Sequence, residues 1–463
     1  MKLLLPNQSL RRISIAGPTS KAIIALSESM SRNHHIRNDD TDDAWNSDMQ
    51  PFFARASFMK LCLPAVLYSV LFNTILRLLS YFPIFNSWLR INPSRLHPED
   101  CFTTSDSSSP PIAIVTGSNT GVGFETAKGL VQRGYHVILA CRSRQKGEDA
   151  ADKINQLGDG DDYSTTVGKA IFLQPIDLTS FASIRSFCKA FSEQYDSLNV
   201  LVNNAGINSQ GDITEDKLEI CFQSNFVSHF LLTKLLIPSL LKAENVYKNS
   251  YFGREAGRVV NLSSVTHHFA PANERTQTIG DDNGTELPEN NNGIHDKHFW
   301  LGSATPGVSS ATYRESKLAS ILFTMELNKR YGDKGIRSVA VNPGSVSSDI
   351  WRNESAFTQK MYSLLYLTTQ EGASTSIAGS ICKLPTDAIY LQPYRQPTFR
   401  NGSSTVGGIK SLERSYSLPF PMFEMLGPYI SHSVTTPRLP ADGSGGYRSS
   451  EQLWDVCESL TAQ

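Results

Sequence analysis

From Pro110 onward, short runs of β-branched residues alternate with longer stretches in which apolar positions recur every three or four residues. The runs predict strands at Ile112–Thr116, His136–Ala140, Ala170–Leu173, Val200–Val202, Arg258–Leu262 and Arg337–Val341. The stretches between them predict helices over Gly121–Arg133, Ser180–Gln194, Leu218–Leu241 and Ala311–Arg330. Alternation of this kind builds a parallel sheet with helices on both faces. Right-handed crossovers then make it a doubly wound α/β fold.

Other parts of the chain break this rhythm. Residues 1–57 are polar and contain the run Asn38-Asp39-Asp40-Thr41-Asp42-Asp43, which buries little surface, so the region is read as disordered. Its first twenty residues carry Arg11, Arg12 and several serines and no acid, a weak organelle-leader pattern set against a plain disordered tail. Residues 58–89 are almost wholly apolar and aromatic, with no charge from Leu61 to Leu76 and Arg77 as the interruption. Sixteen uncharged residues fall short of the ~20 that span a bilayer. Tyr68, Tyr81 and Trp88 suit a membrane interface, and Lys60, Arg90 and Arg95 flank the run on both sides. A membrane-associated segment over 58–92 is expected, as a span, a hairpin or an in-plane helix; the alternative is a helix packed on the soluble domain. Residues 271–298, which include DDNGTELPENNNG, read as a polar surface insertion. Residues 385–447, rich in Pro, Gly, Ser and aromatics, read as an irregular cap within a C-terminal substrate-cap region, 385–463. The regularly alternating unit is accordingly 110–384, and no internal repeat is found.

Composition narrows the function classes. A hydrophobic content of 40% supports a packed core, and a net charge of −1 gives no electrostatic case for nucleic acid. The seven cysteines are scattered without a CxxC pair, which leaves no expected metal site and fits reduced thiols in the cytosol.

Candidate chemistry begins after the first strand. Thr116-Gly117-Ser118-Asn119-Thr120-Gly121-Val122-Gly123 leads into a helix, so backbone amides and a helix N-terminus meet where glycine lets a pyrophosphate approach. Strand two ends in Cys141-Arg142-Ser143-Arg144, where an acid would select NAD. Two guanidinium groups with no nearby acid suit a 2′-phosphate instead. Tyr313 and Lys317 stand at i and i+4 on one helix face. An ammonium there, together with a positive nicotinamide, favours the phenolate and would lower the tyrosine pKa, priming proton exchange with a substrate hydroxyl.

Together with Leu201-Val202-Asn203-Asn204-Ala205-Gly206 and Asn261-Leu262-Ser263-Ser264, these motifs resemble the classical short-chain dehydrogenases and reductases, over roughly residues 110–384. SNFVSHFLLTKLL, RVVNLSSVTHH, EGASTSIAGS and EQLWDVCESL look like the retinol dehydrogenase branch. WW-domain oxidoreductases are near neighbours, although no WW domain is present. The resemblance implies a Rossmann fold and a catalytic group of Tyr313, Lys317, Ser264 and Asn225, with Ser264 favoured over Ser263. It implies NADP(H) rather than NAD(H), bound by Gly117, Ser118, Asn119, Thr120, Gly121, Val122, Gly123, Arg142, Arg144, Asp177, Leu178, Asn204, Ala205, Gly206, Tyr313, Lys317, Pro343, Gly344 and Val346. Asn203 would stabilise the sheet and line the adenine ribose. The implied substrate is a lipophilic alcohol or carbonyl: a retinoid, a steroid or a lipid aldehyde. The implied location is a membrane or lipid-droplet surface, such as the endoplasmic reticulum, with the catalytic domain facing the cytosol. Assembly into a homo-oligomer is left open. Two readings stay beside it: a catalytically silent NADP-binding scaffold, and a protochlorophyllide-reductase-like enzyme acting on a C=C bond. Tyr313 lies 49 residues after Ser264, longer than the resemblance leads one to expect, and the 271–298 insertion fills most of the excess.

Overall fold

A computed structural model describes residues 110–157, 168–209, 211–246, 257–270, 297–307, 309, 311–351, 355–382, 384, 388–392, 433–435 and 447–462. The expectations for 1–57 and 58–92, and nearly all of the 271–298 insertion, lie outside them. In chain order the elements are β1 (Ile112–Thr116), α1 (Gly121–Val131), β2 (His136–Ala140), α2 (Arg144–Leu157), β3 (Ala170–Ile171), α3 (Phe181–Gln194) and β4 (Val200–Asn203). Then come α4 (Ile220–Phe222), a π-helical turn (Gln223–Val227), α5 (Ser228–Val246), β5 (Gly257–Leu262), a 3₁₀ turn (Val265–Phe269), α6 (Lys297–Ala304) and α7 (Thr312–Tyr331). β6 (Ile336–Val341), α8 (Ala356–Leu365), α9 (Thr369–Ile381), β7 (Tyr390–Gln392), β8 (Ser433–Thr435) and α10 (Tyr447–Thr461) complete the set.

The strands form one sheet in the order β3-β2-β1-β4-β5-β6-β7-β8. β1 through β7 run parallel, and β8 pairs antiparallel with β7 through Tyr390–Thr435, Leu391–Val434 and Gln392–Ser433. This is the doubly wound architecture that the alternation predicted. Strands β4, β5 and β6 are buried at every position, as expected of a parallel sheet covered on both sides. One apolar layer joins Ile114, Ile138, Leu201 and Val259 to Phe187, Phe230, Leu322 and Trp454. The other joins Val115, Leu139, Val202 and Val260 to Leu130, Ile154 and Ile377.

Two features depart from the sequence expectation. The 385–447 stretch was expected to be irregular, yet β7 and β8 within it extend the sheet. Three-residue strands carry no hydrophobic period, because partners on the sheet decide them. The single helix expected over Leu218–Leu241 is interrupted by the π-helical turn. Among the described residues one stretch, Ile220–Ala243, is long and apolar enough to cross a membrane, but 72% of its most apolar window is buried against the protein. It is a core helix.

Candidate active site

The C-terminal ends of β1, β4, β5 and β6 meet along one edge of the sheet, and every site residue expected from the sequence except Arg142, Arg144, Asp177 and Leu178 hangs from these ends or the helices beside them. Gly117 leaves β1 with φ +65°, and Gly121 opens α1 with φ +63°, values that L side chains rarely adopt. A Cβ on Gly117 would stand 3.0 Å from the Ala205 Cα. One on Gly123 would stand 2.4 Å from both the Gly117 carbonyl oxygen and the Asn204 Nδ2. The loop is therefore a cradle that only glycine leaves open. Thr120 sits at the N-cap of α1, yet its side chain caps no amide; its hydroxyl donates to Asp349 Oδ2 at 2.8 Å. Ser118 Oγ is buried without a hydrogen-bond partner. Uncapped helix amides plus an orphaned hydroxyl fit an anionic phosphate group.

Asn204 closes the far side of this cradle. Its backbone N–H and that of Ala205 each donate to Thr116 Oγ1 at 2.9 Å, and its Nδ2 donates to the Thr116 carbonyl at 2.6 Å. Asn203 points sideways within the sheet, donating to Asn261 Oδ1 at 2.8 Å and Thr233 Oγ1 at 3.0 Å. Its polar contacts thus tie β4 to β5 and α5. Asp177 Oδ1 accepts from Thr179 N at 2.9 Å and Thr179 Oγ1 at 2.8 Å, which fixes the turn ahead of α3. The neighbouring Leu178 packs half-buried against the core.

At the end of β2 the arginines are not equivalent. Arg142 is exposed. Arg144 opens α2, its Nη1 lies 3.2 Å from Glu148 Oε1, and its guanidinium lies 5.6 Å from the Phe172 ring centroid. The expectation of two guanidinium groups without a nearby acid is corrected for Arg144: an i,i+4 helical neighbour supplies the acid.

The reactive end is formed by α7 against β5. Lys317 Nζ, buried, donates to the Leu262 carbonyl at 3.1 Å and lies 5.4 Å from the Tyr313 ring centroid. Ser263 Oγ donates to the Lys317 carbonyl at 2.7 Å, so this serine holds α7 to the sheet. Ser264 faces the other way, caps the 3₁₀ turn by accepting from Thr266 N at 3.3 Å, and its hydroxyl favours ionisation of the nearby Tyr313 phenol. Burial pushes Lys317 down to about 8. It pushes Tyr313 above its ordinary value, with Cys221 adding to the rise and the Ser264 hydrogen bond opposing it. A lowered Tyr313 is expected from the lysine; the correction is that desolvation of the phenolate is the largest influence and raises it.

Asn225 occupies the π-helical turn, where the extra residue swings its side chain out of the helix. Its Oδ1 accepts from Ile207 N at 2.7 Å, and its Nδ2 donates to the Ile207 carbonyl at 3.0 Å and Ser316 Oγ at 3.2 Å. A Cβ on Gly206 would lie 3.3 Å from Asn225 Oδ1 and 3.6 Å from Lys317 Nζ, so the Asn204-Ala205-Gly206 turn rests directly on both groups. After β6, Gly344 has φ +83° and its N–H donates to Asn342 Oδ1 at 2.9 Å, turning the chain beside Pro343 toward Ser345. Val346 is buried and bridges to Leu367. The structure thus brings Tyr313, Lys317, Ser264 and Asn225 around one turn. Three participants escaped the sequence reading: Thr116, His229 and Asp349. His229 carried a signal, standing four residues after Asn225 on the same helical face.

Residues 111–275 match the family model described as short chain dehydrogenase. Retinol dehydrogenase 11 of Mus musculus is 36% identical over 269 residues, 58% of this chain and 72% of that protein. Retinol dehydrogenase 12 of Bos taurus is 35% identical over 269 residues, with the same coverage of each chain. The WW domain-containing oxidoreductase of Gallus gallus is 34% identical over 275 residues, 58% of this chain and 57% of that protein.

Proposed function

Because the chain belongs to the short-chain dehydrogenase/reductase family, in its retinol dehydrogenase-like branch, and is thereby an NAD(P)-dependent oxidoreductase acting on alcohol or carbonyl groups, we propose that it interconverts a lipophilic alcohol and its carbonyl with NADP(H). The observation that supports this most is the convergence of Tyr313, Lys317 and Ser264: a buried lysine 5.4 Å from the tyrosine ring, with a serine hydroxyl near the phenol.

The glycine loop and the α1 N-terminus are the place for the cofactor diphosphate, and Arg142 is the candidate for a 2′-phosphate. A nicotinamide cofactor held there would supply or accept the hydride. The protein's own part is proton management and orientation. In the reducing direction Tyr313 donates its phenolic proton to the substrate oxygen as hydride reaches the carbonyl carbon, leaving a phenolate; oxidation reverses this. Raising the tyrosine pKa suits the reducing direction, because the proton is held until an alkoxide develops. Ser264 Oγ stabilises that developing charge as a positioned donor. Lys317 places a cation next to the phenolate that remains, and its descent to about 8 leaves it able to pass a proton on near neutral pH. Asn225 holds Ile207 and Ser316, so it fixes the floor beneath these groups.

A retinoid, steroid or lipid aldehyde is the proposed substrate class, following the relatives named retinol dehydrogenases. Such molecules partition into membranes, which agrees with reading the apolar 58–92 segment as an attachment to a membrane or lipid-droplet surface. The division into a leading polar region, this segment, the 110–384 catalytic unit and a C-terminal cap is part of the same proposal. Tyr313→Phe keeps the ring and removes the proton, so NADPH-dependent reduction of all-trans-retinal should fall at least ~100-fold, the contribution of a positioned acid, with NADPH binding retained. Reduction at a near-normal rate would exclude Tyr313 as the acid.

A further inference from the structure

His229 lies four residues beyond Asn225, 3% exposed, and its two ring nitrogens connect parts of the site that are far apart in sequence. Nε2 is 2.9 Å from Thr116 Oγ1, and Nδ1 is 3.0 Å from the Asn225 carbonyl oxygen. The protons can be assigned by counting. A hydroxyl has one proton and two lone pairs. At Thr116 the lone pairs face the Ala205 N–H and the Asn204 N–H, each at 2.9 Å, the latter shared with the Val202 carbonyl at 3.0 Å, while the Asn225 carbonyl can only accept from Nδ1. The hydroxyl proton then goes to His229 Nε2 at 2.9 Å in preference to the Val202 carbonyl at 3.4 Å. Nε2 is consequently the bare nitrogen, Nδ1 carries the hydrogen, and it donates to the Asn225 carbonyl. The ring is neutral and has one tautomer open to it.

We propose that His229 is a positioning residue for hydride and proton transfer: through the chain Asn204/Ala205 amides, Thr116 hydroxyl, imidazole, Asn225 carbonyl, it sets the distance between the turn that flanks the cofactor and the π-helical turn that carries Asn225. This rests on the hydride-transfer reading above. Both ends of the chain belong to the site. The Asn204-Ala205-Gly206 turn rests on Asn225 Oδ1 and Lys317 Nζ, while Asn225 also holds Ser316, the neighbour of Lys317. A ring of fixed length between them fixes Asn225, and through Ser316 the neighbouring Lys317, relative to the Asn204-Ala205 turn. Burial and the charge of Lys317 hold the ring neutral, pushing it down to about 4 against the opposing Asn225 hydrogen bond.

The test separates positioning from packing. His229→Leu keeps bulk and removes both hydrogen bonds, His229→Asn keeps a donor for the Asn225 carbonyl, and His229→Gln keeps an acceptor for Thr116. With NADPH and all-trans-retinal in detergent micelles, His229→Leu should lower kcat at least tenfold with KM for retinal within threefold of wild type. The Asn and Gln variants should each recover part of that loss. In ¹⁵N-histidine-labelled full-length protein, one imidazole should show a protonated Nδ1 and no titration between pH 5.5 and 8, and its signal should vanish in His229→Gln. Wild-type kcat in His229→Leu, or a signal that titrates near ~6.5 as a free imidazole does, overturns the proposal. If His229→Leu does not fold, equal kcat in wild type, Asn and Gln variants overturns it equally. Wild-type protein without any turnover would defeat the hydride-transfer reading; the NMR spectrum would still decide the hydrogen-bond chain.

Discussion

Removing the Arg142 guanidinium should weaken NADPH binding and leave NADH nearly untouched. Arg142 is exposed at the end of β2, whereas Arg144 is 3.2 Å from Glu148 with both side chains about half exposed. A charge-assisted hydrogen bond to a phosphate contributes ~1.5–3 kcal/mol, so its loss in Arg142→Ala converts to roughly 10- to 150-fold in the NADPH dissociation constant at ~1.4 kcal/mol per tenfold. Arg144 has to give up Glu148 before it reaches a phosphate. An exposed i,i+4 pair is worth only ~0.3–0.5 kcal/mol, so the Glu148 contact delays Arg144 little and Arg144→Ala should also cost, though less. Glu148→Gln removes the competing acid and should tighten NADPH about twofold, the size of that pair. The assay is titration of nucleotide fluorescence with NADPH and NADH in parallel. Equal weakening of both nucleotides in Arg142→Ala would refute the 2′-phosphate assignment, and weaker NADPH binding in Glu148→Gln would refute the competition argument.

Three further outcomes are expected. With Lys317 pushed from 10.5 to about 8, it is charged below that pH and neutral above it, so kcat/KM for carbonyl reduction should be level from pH 6 to 7.5 and fall as pH rises through about 8; a profile level up to pH 10 would remove Lys317 from the mechanism. Trp454 on α10 is 4% exposed, with ring centroids 4.9 Å from Phe230 and 5.9 Å from Phe323 and the Arg330 guanidinium 4.5 Å above it. Trp454→Ala should therefore lose ~3–5 kcal/mol in urea unfolding, and a loss under ~1 kcal/mol would show that α10 does not belong to the core. Full-length protein should remain in the membrane pellet after a carbonate wash, and a version starting at Pro93 should be soluble; full-length protein that is soluble without any wash would defeat the proposed attachment.

What the sequence shows depends on how far each feature is decided locally. β1 and β2 match the predicted bounds to the residue, since each is a β-branched run ended by a turn. β3 is two residues, shorter than Ala170–Leu173, because pairing with Val137 and Ile138 alone delimits it. The glycine loop is equally plain, for its spacing is the cradle. The Glu148 partner of Arg144 is legible at i,i+4 only once Arg144 is placed on the helix that follows β2 and not at the strand end. Burial was not visible in the same way. Tyr313 and Lys317 stand four apart in the chain, yet the direction of the tyrosine shift depends on what α7 packs against. The π-helical turn leaves no period at all, so Asn225 is legible only through its motif and His229 only through its spacing of four from Asn225.

The strand order explains why these residues meet. Reading β3-β2-β1-β4-β5, the chain works outward from β1 in one direction, then returns to lay β4 on its other side. The connections leaving β1 and β4 consequently run to opposite faces, and a crevice opens between them at their C-terminal ends. An open crevice exposes backbone groups on both walls. Here the wall groups are bonded to each other beneath the surface: the Asn204 and Ala205 amides to Thr116 Oγ1, and the Asn204 side chain to the Thr116 carbonyl. The amides at the start of α1 are left uncapped, along with Ser118 Oγ. A crevice stitched at its floor and unsatisfied at its rim holds its shape without a ligand and still presents donors to an anion. Tyr313, Lys317 and Ser264, on the β5 side of the same edge, then stand next to whatever that anion anchors.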